Sequence, residues 1–136
     1  MNTEQTPNFS DIQVAAKREQ WDFVDKNLEP FLTRENFAWA LEELQKNKEQ
    51  NRNIRDLAAT ILDRTDFLIS HQDFRNLMKQ MLDRMEYHIV RFRVAIALYK
   101  RGNRDLEVAT MMEEASKDPD VGELAKSYLN AQTNEW

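Results

Sequence analysis

Ile54-Arg55-Asp56-Leu57-Ala58-Ala59-Thr60-Ile61-Leu62 and Val90-Arg91-Phe92-Arg93-Val94-Ala95-Ile96-Ala97-Leu98 are two versions of one nine-residue pattern. Each opens on a branched apolar residue, sets a small or branched residue four places on, and ends on Leu eight places on. Both carry Arg at the second place and Ala at the sixth. A third copy, Val121-Gly122-Glu123-Leu124-Ala125-Lys126-Ser127-Tyr128-Leu129, keeps the apolar frame but has Gly122 for the Arg and Lys126 for the small residue. The copies begin 36 and then 31 residues apart. Apolar residues at intervals of four lie on one side of a helix. Small residues at the fifth and sixth places let neighbouring helices approach closely, and Leu at the ninth fills the layer between them. One helical pair cannot bury its own apolar face, so such pairs are expected to stack.

Outward from these copies the chain continues to read as helix. Ser10 and Gln13 have capping-box spacing and open a helix carrying Ile12, Ala15, Ala16, Trp21, Val24 and Leu28. Pro30 ends it, because the residue before a proline disfavours the helical conformation. Thr33 is the next N-cap, with Phe37, Ala40, Leu41 and Leu44 behind it. The polar stretch 45–53 is a turn into the first copy. Ser70 or Asp73 starts a helix with Phe74, Leu77, Met78, Met81 and Leu82 inward. Gly102 suits the left-handed residue that closes the helix of the second copy. A further helix spans about 104–116, and Asp118-Pro119 starts the last one, with Pro where its missing N–H costs nothing. Residues 1–9 and 132–136 are expected to be loose.

Composition agrees. Only two Gly and three Pro occur in 136 residues, too few for the turns of an all-β fold. The 19 basic and 24 acidic residues give a net charge of −5, which argues against a nucleic-acid binder. With no Cys there is no disulfide, thiolate nucleophile or Cys-held metal. No apolar run reaches the ~18 residues of a membrane span, and the N-terminus has no signal-peptide core. A cytoplasmic location is therefore expected.

The repeated pattern resembles the second helix of HEAT and HEAT-like repeats, in which an Asp-Pro-Asp turn leads into Val-Arg, small residues and Leu. Asp118-Pro119-Asp120-Val121 is close to that turn, and Asn51-Arg52-Asn53-Ile54-Arg55 is looser. The resemblance spans roughly 34–131. It implies an all-α fold, a short right-handed α-solenoid of about seven helices. A capping helix over 10–30 would be followed by helical pairs at about 34–65, 71–101 and 104–131, forming one domain over 10–131. In such a stack the second-place Arg55 and Arg91 meet acidic turn residues of a neighbour.

Catalytic signatures are absent. His71 and His88 stand in no ligand-spaced cluster, Gly102 and Gly122 form no phosphate loop, and no GxSxG elbow occurs. The adjacent pairs Glu42-Glu43 and Glu113-Glu114 point apart on a helix and read as solvated faces. No catalytic residue, metal or cofactor is expected.

The docking surface is sought by comparing the three copies. At places three, seven and ten the first copy has Asp56, Thr60 and Asp63, and the third has Glu123, Ser127 and Asn130. The second has Phe92, Ile96 and Tyr99, so its helix is apolar nearly all round. Either the chain itself covers this stripe, with the N-terminal helix as the obvious cover, or it is the centre of a binding groove on the concave side. Around it lie Arg84, Arg91, Arg93, Lys100, Arg101 and Arg104, with Glu86 opposing them. Phe92, Arg93, Ile96, Tyr99 and Lys100 are the candidate partner-binding residues, fitted to another protein or an acidic peptide. The expected function is that of a protein-binding scaffold or adaptor, not an enzyme. Two alternatives remain: an accessory or lyase-type subunit, since HEAT-like repeats occur in proteins resembling bilin lyases, and nucleic-acid binding through the basic stretch 84–104.

Overall fold

The structure is a computed structural model that describes residues 7–46, 51–83 and 86–133. Among these there are eight α-helices and no strand: α1 (Phe9–Lys17), α2 (Trp21–Asn27), α3 (Arg34–Gln45), α4 (Arg52–Arg64), α5 (His71–Met81), α6 (His88–Lys100), α7 (Leu106–Ala115) and α8 (Gly122–Thr133), with a 3-10 turn at Glu29–Phe31. Most of the expected loose ends, 1–6 and 134–136, lie outside the described residues, as does Arg84.

The count is eight and not about seven, because the expected helix over 10–30 is two helices. It breaks at Glu19, which has φ 59°. The Glu19 N–H donates to the Ala16 carbonyl at 3.0 Å and the Gln20 N–H to the Ala15 carbonyl at 2.9 Å. These are the two bonds of a Schellman motif, here with Glu in the left-handed place that usually holds Gly. The start also differs. Asn8, not Ser10, caps α1, in a reciprocal capping box with Asp11.

Elsewhere the caps follow the sequence. The Thr33 hydroxyl accepts from Asn36 N–H and the Ser70 hydroxyl from Asp73 N–H. The Asp118 carboxylate accepts from the Asp120 and Val121 N–H groups ahead of α8. Gly102, at φ 93°, closes α6 with the same pair of bonds seen at Glu19, from Gly102 to Tyr99 and from Asn103 to Leu98.

Helix α4 packs on α3, α6 and α1; α6 packs on α4 and α7, with a smaller contact to α5; α3 meets α5. The small and branched places of the repeat lie in the core: Ala58, Ala59, Val94 and Ala95 are all fully buried, as are Leu57, Ile61 and Leu62. Two ion pairs give the relative direction of these helices. Asp56 meets Arg93, and Asp63 meets Lys100, each 37 residues apart. A constant offset at two levels means that α4 and α6 run parallel.

The second-place arginines join each hairpin at one end. A helix leaves its last carbonyls without partners. Arg55 on α4 donates through Nη1 to the carbonyls of Glu43 (3.0 Å) and Lys46 (3.1 Å), and through Nη2 to that of Leu44 (3.4 Å), at the end of α3. Arg91 on α6 donates to the Met81 carbonyl at the end of α5, at 2.8 Å. The third copy has no such Arg. A Cβ on Gly122 would stand 2.9 Å from the Ser116 carbonyl oxygen just past α7, so the backbone itself occupies the place of the missing cap.

Candidate functional site

Helix α6 positions all five candidate partner-binding residues, and they divide into two groups. Phe92 and Tyr99 are 6% exposed and Ile96 is fully buried. This stripe is therefore not an open groove. α6 packs between α4 and α7, so flanking helices enclose it, whereas α1 is placed against α4. The His88 ring lies beside Phe92 with centroids 6.0 Å apart, and the Arg104 guanidinium lies over Tyr99 at 3.6 Å.

Arg93 and Lys100 reach the surface, with side chains 28% and 30% exposed. Arg93 Nε donates to Asp56 at 2.7 Å, and Lys100 Nζ donates to the Asp63 carbonyl (2.7 Å) and carboxylate (3.2 Å). Lys100 Nζ also stands 5.5 Å from the Tyr128 ring of α8. The outer face over α6 is thus a strip of Arg93, Lys100, Tyr128 and Arg104 above a packed apolar bed.

Among the described residues, the rest of the basic stretch is engaged within the chain. Arg101 donates to the carbonyls of Thr65, Phe67 and Ala97. Burial pushes it down from the ordinary guanidinium value, against the attraction of Asp63 and Asp66. Arg104 donates to the Tyr99 carbonyl. The acids that answer Arg93 and Lys100 come from α4, 37 positions upstream, which is why the local sequence shows so few negative charges beside them. Burial lifts the Asp56 carboxyl above the usual carboxylate value and outweighs the pull of Arg93.

Arg55 and Glu86 make the most deeply buried polar cluster. Both side chains are fully buried, joined by Nε to Oε2 at 3.1 Å and by a short contact from Nη2 to Oε1. With its three carbonyl partners, Arg55 has every guanidinium N–H satisfied. Glu86 stands in the turn before α6 and also accepts from Tyr87 N–H at 3.1 Å. The arrangement is an acidic turn residue meeting a second-place Arg, and it carries no reactive geometry.

Among the described residues no group of three or more His, Asp or Glu side chains is placed to hold a metal, and no helix is long and apolar enough to cross a membrane. His71 and His88 are both exposed, and His71 lines a surface depression of about 470 Å³ between the start of α5 and the end of α6.

Sequence reasoning missed Glu43. Its neighbour Glu42 is exposed as expected, but Glu43 is buried, one oxygen 3.8 Å from Lys46 Nζ and the other, Oε2, without a hydrogen-bond partner among the described residues. The signal was its place three residues after Ala40, on the edge of the apolar stripe of α3.

No family model matches the chain, and no curated protein or solved structure matches it.

Proposed function

We propose that this chain is a small HEAT-like repeat scaffold that docks another protein on the face over α6, without catalysis of its own. Arg93, Lys100, Arg104 and Tyr128 make the contact, and Phe92, Ile96 and Tyr99 form the rigid bed beneath. The reading rests on the repeated pattern, on the parallel run of α4 and α6, and on the matching roles of Arg55 and Arg91 at the ends of α3 and α5. Consecutive pairs of a short α-solenoid have those properties.

One observation carries the choice of face. Arg93 and Lys100 are tied to α4 yet remain partly exposed, and among the described residues Arg93 spends only its Nε on Asp56. Two pre-positioned cations, one of them beside the Tyr128 ring, suit an acidic peptide segment with an apolar anchor, because little side-chain freedom is lost on binding.

Fluorescence anisotropy with a labelled peptide alternating Glu and Phe tests this. A micromolar response in wild type should weaken at least about tenfold in an Arg93→Ser, Lys100→Ser double variant that keeps its melting temperature, the loss of two charge-assisted contacts. An unchanged response would overturn the assignment of the face. A response to duplex DNA that collapses steeply with salt would favour the nucleic-acid alternative.

A further inference from the structure

Arg93 and Lys100 stand seven residues apart on α6, and the carboxylates that hold them, Asp56 and Asp63, stand seven apart on α4. Seven residues are close to two helical turns, so each pair lies on one side of its helix, about 10.5 Å apart along the axis. Because α4 and α6 run parallel, the two ion pairs form rungs at that separation. The spacing of the cations is therefore set by backbone on both sides and not left to two flexible side chains.

Each rung keeps donors to spare among the described residues. Arg93 gives Asp56 its Nε at 2.7 Å, and its two Nη groups are not engaged. Lys100 Nζ donates to the Asp63 carbonyl and carboxylate, which uses two of its three N–H groups. The two side chains are 28% and 30% exposed. Ile96 and Ala97 lie between them on that side of α6 and are fully buried, so α6 presents no further polar group there.

We infer that the segment taken by this face is an α-helix laid along α6, with two acidic residues seven positions apart; this rests on the α6 face being the docking surface. The two carboxylates accept from Arg93 Nη and Lys100 Nζ. Apolar residues between the acids meet the strip, next to Tyr128 at the Lys100 end. The spacing selects the helix. In a strand, side chains on one face are two or four residues apart, about 6.7 or 13.4 Å, and miss the rungs by about 3 Å or more. In a polyproline helix every third residue returns to one face at about 9.3 Å, about 1 Å short. An α-helix returns after seven residues with about 20° of drift and meets both rungs without stretching either acid.

Fluorescence anisotropy with hydrocarbon-stapled helical peptides tests this. Two helices share one composition. One has its Glu residues seven apart, and the other has them five apart, which turns the second Glu about 140° away. A third probe is a polyproline peptide with Glu three apart. The seven-spaced helix should bind wild type at least about tenfold tighter than either, the value of one charge-assisted contact. The extended alternating Glu and Phe peptide, with same-face acids about 6.7 Å apart, should be weaker as well. In the Arg93→Ser, Lys100→Ser variant the preference for seven should vanish. The wild-type comparison of seven with five decides the matter even where that variant does not fold. Equal binding of the two helices to wild type, or equal or tighter binding of the polyproline peptide, would overturn the helical partner. If the double variant still loses those probes, the face stands. Undiminished binding of every probe by the double variant would overturn the face, and the helical partner with it. No saturable binding of any probe below roughly 1 mM would do the same.

Discussion

Arg55 and Asp56 are neighbours in sequence and opposites in energetics. The Arg55 guanidinium is fully buried, and Glu86 is its only carboxylate partner among the described residues. Glu86→Gln leaves that charge in the core uncompensated and should cost about 3 kcal/mol or more by urea unfolding at pH 7. Asp56 is only half-buried, and its partner Arg93 is partly exposed and can turn to water. Asp56→Asn should therefore change stability by no more than about 1 kcal/mol. The two also differ with pH. Because burial raises the Asp56 carboxyl in the folded protein, its contribution is fully present below the unfolded value, about 3.9. It is lost as pH rises through the higher folded value. The stability of Asp56→Asn relative to wild type should accordingly be more favourable at pH 7 than at pH 3.5, and the opposite trend would contradict this electrostatic account. From sequence, the Arg at the second place was legible as structural. Which acid met it was not, since Glu86 lies 31 residues away.

At the scale of elements, helix ends decided what could be read. Gly102 announced the close of α6 because a left-handed residue is usually Gly. The same motif after α1 is built on Glu19, and nothing in a Glu signals a stop. The merged helix over 10–30 was the result. Burial of Ile12, Ala15, Ala16, Val24 and Leu28 holds the break in place although its own backbone is unfavourable. Glu19→Gly should relieve this and stabilise the protein by roughly 0.5–1 kcal/mol, read as a higher melting temperature. A lowered melting temperature would mean that the Glu19 side chain has a role beyond its backbone. The proposed docking strip shows the same limit of legibility. Its cations were visible as a basic stretch, whereas the enclosure of Phe92, Ile96 and Tyr99 depends on how α4 and α7 flank α6.

For the whole molecule, the all-helical class followed from few turn residues and a recurring apolar period, and burial of the small places follows from the same pattern. Ala58 and Ala59 on α4 and Val94 and Ala95 on α6 have no exposed surface. Ala95→Phe has no free volume to enter and should cost about 1–3 kcal/mol or more. For a chain of this size each kcal/mol lowers the melting temperature by roughly 2–8 °C. A thermal scan with an unchanged midpoint would mean that α4 and α6 do not pack at these places.

The buried guanidinium of Arg55 also has a kinetic consequence. Its five donors are met only when the end of α3, the body of α4 and the turn before α6 are in place together. Releasing any one strands a charge in the interior, so these segments cannot open singly at low cost. They should form one cooperative unit. In native-state hydrogen exchange, the amides of α4 and α6 are expected to share a single opening free energy near that of global unfolding, while α1 and α2 exchange through smaller openings. In Glu86→Gln the common isotherm should split in two, because the tie between the first helical pair and the second has been cut.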